Sequence, residues 1–394
     1  MPLDLMRVAA QVGGMIAGLR DSRRERQEHL RNALETLHNK TGDIEALRSK
    51  IAASKTSWLV ADFVEKPDNH YPVPPLPADF TVIGVDGSQI DVDRHQSTRC
   101  YLINLGSAII RYGSAPDAVL DSVPHLYSDD EDLVISDGAG REQAIEGQLL
   151  GLKRSVDECL HLAELAAKLP SGSISLGLLD GSLIMWSLES YPDFINGVLL
   201  RNGFLKHLDD LKKLNAERKV PVASYISLPR STDVVNVLRV ALCPHAAADC
   251  DKYCREKREC DVVARVQDRD LFSDVLGAGE RSAVFISNSK VQRYYGIHRV
   301  CFFYLKTGDE IARVEVPQWV ASDESLLNIT HSLVLDQCQR GQAYPVVLSE
   351  AHEQAVVTNV DRQNFWQLVE SASVDEHLSS FSSAKSMSKR TRWV

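Results

Sequence analysis

Two Asp-Gly-Ser tripeptides, each preceded by an apolar run, constrain the fold more than any other feature of this sequence. Residues 81–85 lead into Asp86, and residues 174–179 lead into Asp180. Apolar runs of this length predict short buried strands. The Gly-Ser after each aspartate allows the backbone to turn sharply beside the carboxylate. We therefore expect both carboxylates to emerge at strand ends, and to converge if the strands are neighbours.

Such convergence would create a site that needs a cation. Two unpaired carboxylates at one point repel each other unless a divalent metal ion lies between them. A clamp of this kind serves two-metal hydrolysis of phosphodiesters, in which one ion activates water and the other stabilises the leaving oxygen. The alternative is that Asp-Gly-Ser is ordinary turn chemistry, which a single tripeptide would favour. Its repetition after the same kind of apolar run gives the two hypotheses equal weight.

The helix predicted before the second strand offers a third carboxylate. A strand of about seven residues that runs up to Asp180 covers roughly 23 Å. A helix packed back along this strand needs about 15 residues to cover the same distance. Counting back from the end of the helix near Lys168 leads to about residue 153. Glu158 is therefore our prediction for the third acid. The alternatives are other carboxylates of the same segment: Asp157, Glu146 and Glu142.

A second group of candidate residues lies near the C-terminus, in the segment GQAYPVVLSEAHEQA. Tyr344 precedes Pro345, which restricts the local backbone. His352 is predicted on the first turn of a helix that can face the strand ends. A histidine there could bind metal or assist proton transfer, although a histidine taken alone is more often an ordinary surface or core residue.

The rest of the chain predicts strands and helices in alternation. Predicted strands are residues 101–112, 222–228, 283–286, 300–305 and 311–316. Predicted helices are residues 141–168, 194–214 and 324–340, with one more around Ala351. This order favours an α/β fold with a mixed sheet and flanking helices.

Composition divides the chain into segments. Residues 1–65 predict a helical arm, and five prolines make residues 66–80 an extended linker. The core domain is predicted over residues 81–373, with a cysteine-rich insertion at 243–260. Residues 374–394 are rich in Ser, Lys and Arg and predict a flexible tail.

The bulk properties are those of an ordinary cytoplasmic protein. The 394 residues are 44% apolar, and no apolar run reaches the roughly 18 residues of a membrane span. The formal net charge of -10 argues against a protein that coats nucleic acid nonspecifically, but not against a local basic groove.

Four of the eight cysteines lie within eighteen residues. In a cytoplasmic chain such a cluster predicts a metal site rather than disulfides. Four thiolates can hold zinc or an iron–sulfur cluster, and His245 could replace one of them. The predicted ligands are Cys243, Cys250, Cys254 and Cys260.

These pieces together resemble the NurA nuclease family, the partners of HerA-type hexameric DNA translocases. The matching segments lie between residues 81 and 365 and are VIGVDGSQI, KRSVDECLHLAELA, GLLDGSLIMW and AYPVVLSEAHEQAVV. Each segment alone is a weak match, and their order is what makes the set specific. The cysteine-rich insertion departs from a minimal NurA pattern.

The resemblance implies a ribonuclease-H-like fold and a nuclease that uses Mn²⁺ or Mg²⁺ on single- and double-stranded DNA. It implies a 5′–3′ exonuclease with single-strand endonuclease action in the resection of broken ends, although the residues themselves leave the polarity open. It also implies a homodimer that threads DNA onto a HerA-type translocase. Metal-binding carboxylates would be Asp86, Glu158 and Asp180. Tyr344 and His352 match the family's C-terminal active-site pair, with His352 as a further metal ligand.

Two other classes of protein compete with a nuclease. An actin-like ATPase shares the ribonuclease-H topology, but it would need an adenosine-binding Gly-rich segment late in the chain. Only Gly277-Ala278-Gly279 resembles one. A non-catalytic DNA-binding subunit would use the acids structurally and the cysteine-rich segment for contacts.

Overall fold

Helices and strands alternate along the chain in the computed structural model, which describes residues 4–93, 98–254 and 258–375 (without the side chains of 17, 18, 20–22, 374 and 375). The helices are α1 Leu5–Lys40, α2 Ile44–Ala53, α3 Asp130–Leu133, α4 Gln148–Ala167, α5 Asp193–Ile195, α6 Leu205–Leu214, α7 Asp233–Leu242, α8 Cys250–Tyr253, α9 Asp268–Val275, α10 Gln318–Ala321, α11 Glu324–Arg340, α12 Val346–Ala355 and α13 Asn359–Asp375. The strands are β1 Asp62–Phe63, β2 His70–Tyr71, β3 Phe80–Ile90, β4 Tyr101–Tyr112, β5 Asp117–Tyr127, β6 Val134–Ser136, β7 Glu142–Ala144, β8 Ser175–Asp180, β9 Val222–Ile226, β10 Arg281–Ser282, β11 Phe285–Ile286, β12 Val300–Thr307 and β13 Glu310–Pro317.

The chain divides into two compact units. The first unit consists of residues up to Val73, Ile226–Ser289 and Val300–Val314, and the second of Pro74–Tyr225, Lys290–Arg299 and the residues from Glu315 onward. The chain first passes from one unit to the other at Val73–Pro74, within the segment predicted as a linker. Residues 81–373, predicted as one domain, contribute to both units.

The second unit is built on a mixed sheet. Its strands follow the order β5-β4-β3-β8-β9. β3, β4 and β5 form an antiparallel meander, whereas β8 pairs parallel with β3 and β9 parallel with β8. An antiparallel meander extended by parallel strands beside its first member is the ribonuclease-H-like arrangement, so the predicted fold class is confirmed.

Helices cover both faces of this sheet at glycine positions. A Cβ on Gly84 of β3 would lie 2.5 Å from the carbonyl oxygen of Val347 in α12, and one on Gly106 of β4 would collide with the backbone of the same helix. On the other face, Gly177 of β8 contacts Leu162 of α4. Because alternate residues of a strand face opposite sides, these glycines determine which helix lies against each face.

The first unit has a core of its own. Helices α1, α2, α7 and α9 enclose it together with β11 and β12. Members that are fully buried include Leu37, Phe63, Phe272 and Phe285. Burial of large side chains contributes about 1.5–3 kcal/mol each to stability, so this cluster stabilises the unit.

Several predicted boundaries are corrected by the structure. The helical arm ends at Ala53, and β1 follows where a helix to residue 65 was predicted. The helix predicted from residue 141 begins at Gln148 because Gly147 has a φ of +55° and residues 142–144 form β7. The predicted flexible tail begins too early, since α13 extends to Asp375. The tail residues 376–394 lie outside the described part.

Among the described residues, no helix has both the length and the apolar character needed to cross a bilayer.

Candidate active site

Asp86 and Asp180 stand side by side on neighbouring strands. β3 and β8 run parallel, with Val85 level with Leu179, so the next residue of each strand is an aspartate. Asp86 shares its sheet face with Gly84, two residues earlier, and this is the face covered by α12. Both carboxylates therefore lie on the α12 side, as the sequence predicts for neighbouring strands.

The two Asp-Gly-Ser tripeptides differ in structure. Asp180 is the last residue of β8, and Gly181 after it has a φ of +85°, so the predicted sharp turn is present. Asp86-Gly87-Ser88 lies inside β3, which continues to Ile90, so the turn predicted there is wrong. Gly87 serves a different need, because a Cβ on it would lie 2.6 Å from Oε1 of Glu158.

Glu158 reaches the site from α4, on the opposite face of the sheet from the aspartates. Its carboxylate lies over the Cα position of Gly87, the residue next to Asp86. The side chain is buried, and Nε of Arg154 lies 3.1 Å from its Oε1. The two groups form an ion pair without hydrogen-bond alignment, so Oε1 has no hydrogen-bond partner among the described residues.

The electrostatics of Glu158 follow from this burial. Burial raises its pKa to about 8, and the charges of Asp86 and Asp180 add to the rise while Arg154 opposes it. A buried carboxylate with further carboxylates nearby favours either a proton or a cation.

The alternatives for the third acid lie elsewhere. Asp157 accepts a hydrogen bond from the Tyr127 hydroxyl at 2.9 Å and pairs with Lys153 at 2.5 Å. Glu142 is exposed in β7, and the exposed Glu146 lies 3.8 Å from Arg99. Of these four candidate acids, Glu158 is the one whose carboxylate lies beside Gly87.

Tyr344 contacts Asp180 directly. Its hydroxyl donates to Oδ1 of Asp180 at 3.0 Å. Burial raises the pKa of Asp180, and this hydrogen bond opposes the rise. The loop that carries Tyr344 is strained, since Gln342 and Ala343 have φ values of +56° and +82°. Non-glycine residues with positive φ cost on the order of 1–3 kcal/mol and concentrate at functional sites.

His352 contacts the other aspartate. Its Nδ1 lies 2.6 Å from Oδ2 of Asp86, while 62% of the side chain remains exposed. The histidine lies in the second half of α12, not in the first turn as predicted. The predicted orientation towards the strand ends is nevertheless correct, because α12 lies on the sheet at Gly84 and Gly106.

The buried residue that holds the loop after Asp180 was not among those predicted from the sequence. Glu315 is 1% exposed, and its Oε2 accepts from the Ser182 hydroxyl at 2.8 Å and from the Leu183 N–H at 2.9 Å. The buried Tyr295 hydroxyl donates to the Leu183 carbonyl oxygen at 2.9 Å. No motif marks Glu315, and a buried acid within the apolar β13 was the one available signal.

The site fits a divalent cation by the chemistry of its donors. Carboxylate oxygens are the ligands that Mg²⁺ and Mn²⁺ prefer, and Glu158 contributes one buried oxygen without a hydrogen-bond partner. The side chains are turned to protein partners, Asp86 to His352 and Asp180 to Tyr344. Accordingly, within the described ranges no three His, Cys, Asp or Glu side chains are placed to hold an ion.

The cysteine-rich segment likewise has no assembled set of metal ligands among the described residues. All four cysteines are free thiols. Burial raises the pKa of Cys250, and its neighbours Cys254 and Cys260 add to the rise, so these three lie near one another. The ring of His245 stacks on Tyr253, with 3.9 Å between centroids. In the described part of the chain no set of three ligands is assembled, and the predicted zinc or iron–sulfur site is therefore not supported.

The residues that form this sheet and carry its acids match the model of a known family. The model of the NurA domain matches residues 80–357. The chain belongs to the NurA family. The matched range includes both aspartates, Glu158 and the Tyr344–His352 segment, so the whole candidate site of this NurA-family chain lies inside the domain.

The chain is also similar to solved structures. The crystal structure of the NurA nuclease from Sulfolobus solfataricus is similar to this chain with a TM-score of 0.51 and 15% identity, over 95% of this chain and 98% of that one. A crystal structure of NurA with manganese is similar with a TM-score of 0.41 and 11% identity, over 89% and 98% of the two chains. At 15% identity and a TM-score of 0.51, the likeness to the Sulfolobus nuclease concerns the fold. No curated protein sequence matches the chain.

Proposed function

We propose that this protein is a divalent-metal-dependent DNA nuclease. The observation that carries the proposal is the level placement of Asp86 and Asp180 on adjacent parallel strands, with the carboxylate of Glu158 over Gly87. Membership of the NurA family and the fold of the Sulfolobus nuclease support it. The ATPase alternative has no comparable support.

Asp86, Glu158 and Asp180 would hold Mn²⁺ or Mg²⁺, with His352 as a further ligand. A cation bound there would supply Lewis-acid activation of the phosphodiester and of the attacking water. The Tyr344 hydroxyl fixes Asp180 through its hydrogen bond. When His352 is not a ligand and its Nδ1–H donates to Asp86, Nε2 is free to take a proton from the attacking water.

The direct test is release of nucleotides from linear DNA in the presence of Mn²⁺. We expect the Asp86→Ala and Asp180→Ala variants to lose activity about 100-fold or more, since loss even of an outer residue of a metal site costs 10–100-fold. The Glu158→Gln variant should lose nuclease activity as well.

Glu146→Gln is the matched control, because Glu146 lies nearby in sequence but is exposed and outside the site. It should retain full activity. If wild-type protein hydrolyses ATP and leaves DNA intact, or if the aspartate variants cut normally, the proposal is wrong.

The finer proposal is a 5′–3′ exonuclease, with single-strand endonuclease action, that processes DNA ends beside a HerA-type translocase in the cytoplasm. Free thiols at all eight cysteines are compatible with that reducing compartment. A pull-down of a HerA-type translocase with the full-length chain tests the partner.

We also propose a homodimer. The first half of α1 carries Leu5, Val12 and Leu19 at a seven-residue spacing, and their side chains are 70%, 43% and 52% exposed. Apolar residues repeated every seven positions favour pairing of two helices.

A further inference from the structure

An exposed tryptophan lies on the loop that follows Asp180. Trp186 is six residues after Asp180 and opens the 3₁₀ segment Trp186–Ser190. Its side chain is 43% exposed, although burying an indole would contribute substantially to stability. The function proposed above does not use this residue.

The exposed indole is held in a fixed orientation. Its Nε1 donates to the Ser182 hydroxyl at 3.2 Å, and that hydroxyl in turn donates to the buried Glu315 at 2.8 Å. The Trp186 N–H also donates to the Ile184 carbonyl oxygen at 2.8 Å. An aromatic ring fixed in this way loses little conformational entropy when a planar ligand stacks on it.

The loop that carries the ring is joined to the start of α4, the helix that carries Glu158. Ser187, the next residue, accepts from Gln148, the first residue of α4, at 2.7 Å. Gln148 precedes Glu158 by ten residues, which is about 15 Å of helix. Ser182, which accepts the indole hydrogen bond, is the second residue after Asp180, so the ring is held within about a few nucleotide spacings of that carboxylate.

Cationic side chains flank the same loop. Lys290 is 78% exposed and lies 3.2 Å from Glu189 of the Trp186–Ser190 segment. Arg293, exposed in the neighbouring 3₁₀ segment, donates to the Tyr294 hydroxyl at 2.8 Å. An aromatic platform with cations beside it is the combination that binds single-stranded nucleic acid, where bases stack and phosphates meet positive charge.

We propose that Trp186 is a stacking platform for a base of single-stranded DNA on its way to the Asp86–Asp180 carboxylates. The inference rests on the proposed nuclease function and names a substrate contact of that site. Duplex DNA keeps its bases stacked inside the helix, so this contact favours binding of single-stranded over double-stranded DNA.

The test measures binding without cleavage. Fluorescence anisotropy of a labelled oligothymidylate, with EDTA present, gives the Kd for the full-length protein. We expect Trp186→Ala to raise this Kd roughly 5- to 150-fold, the range for loss of one stacked base. Trp186→Phe should retain most of the affinity, and binding of a blunt duplex should change much less.

Leu368→Ala is the matched control, since Leu368 is 70% exposed on α13 and its truncation should leave the Kd unchanged. Equal binding by Trp186→Ala and wild type, or equal loss for duplex and single strand, overturns the inference. Circular dichroism and a thermal melt exclude misfolding, and Trp186→Phe keeps the comparison valid if the alanine variant does not fold. Failure of wild-type protein to cut DNA with Mn²⁺ would instead refute the nuclease function, so the two failures are distinguishable.

Discussion

At the scale of single residues, Glu158 is the residue whose protonation depends most on its surroundings. A glutamate in a solvated helix face would be an ordinary surface acid. Here the side chain lies over Gly87, beside Arg154 and within the field of two aspartates. Its protonation is therefore coupled to the folding of the whole site.

This coupling predicts a pH dependence of stability. Burial raises the pKa of Glu158 from an ordinary 4.5 to about 8. Between these values the folded protein holds a proton that the unfolded chain has released, so its contribution to the free energy of unfolding falls as pH rises from about 4.5 to about 8. In Glu158→Gln this contribution is absent.

Urea unfolding in EDTA at about pH 5 and about pH 8 measures the effect, taken as the difference between wild type and Glu158→Gln. Glu146→Gln, which removes an exposed carboxylate, should follow the wild type. A difference between wild type and Glu158→Gln that is the same at both pH values would contradict the assignment.

At the scale of elements, close approach of α12 to the sheet positions the C-terminal pair. Gly84 and Gly106 have no Cβ, so the backbone of α12 rests directly on β3 and β4. His352 then reaches Asp86 from the second half of the helix, and Tyr344 reaches Asp180 from the strained loop before it.

A methyl group at Gly106 should therefore displace α12. Gly106→Ala introduces a Cβ that collides with backbone atoms of Ala351 and Ala355, and overpacking of this kind costs about 1–3 kcal/mol. We expect a lower melting temperature and reduced nuclease activity, because His352 moves with its helix.

Gly151→Ala on α4 provides the control, since a Cβ there meets nothing within 4 Å. Alanine in a helix should raise stability by up to about 1 kcal/mol. Wild-type activity and stability in Gly106→Ala would show that the helix does not rest on this glycine.

At the scale of the whole molecule, the chain is two compact units with separate cores, and the N-terminal helix has different surroundings along its length. Ala33 and Leu37 are buried in the first unit, whereas Leu5, Val12 and Leu19 are exposed to solvent. A helix with such a seven-residue repeat is typically completed by a second helix.

We expect this repeat to mediate self-association. Multi-angle light scattering should give a dimer for the wild type and a monomer for Leu5→Glu combined with Val12→Glu, with little change in the melting temperature. Arg7→Glu, which changes a charge at an exposed position of the same helix, serves as the control and should leave the dimer intact. A monomeric wild type would disprove the proposed homodimer.

Local pattern in the sequence was sufficient for much of the fold. β4 has the predicted bounds Tyr101–Tyr112, and α11 the predicted bounds Glu324–Arg340, because apolar periodicity reports directly which side of a segment is buried. Boundaries failed where a short polar strand such as β7 carries no periodic signal. The edge strand β5 was missed for the same reason, since most of its residues are exposed.

The sequence by itself determined that Asp86 and Asp180 would each come directly after a buried apolar run, because such a run is made of consecutive residues. Only the tertiary structure decided that these strands are parallel neighbours and that Glu158, not Glu146 or Glu142, lies beside them. It alone revealed Glu315, which holds Ser182 across 133 residues of chain. Contacts between residues so far apart depend on how helices and strands pack. The residues next to each partner in the sequence do not reveal such contacts.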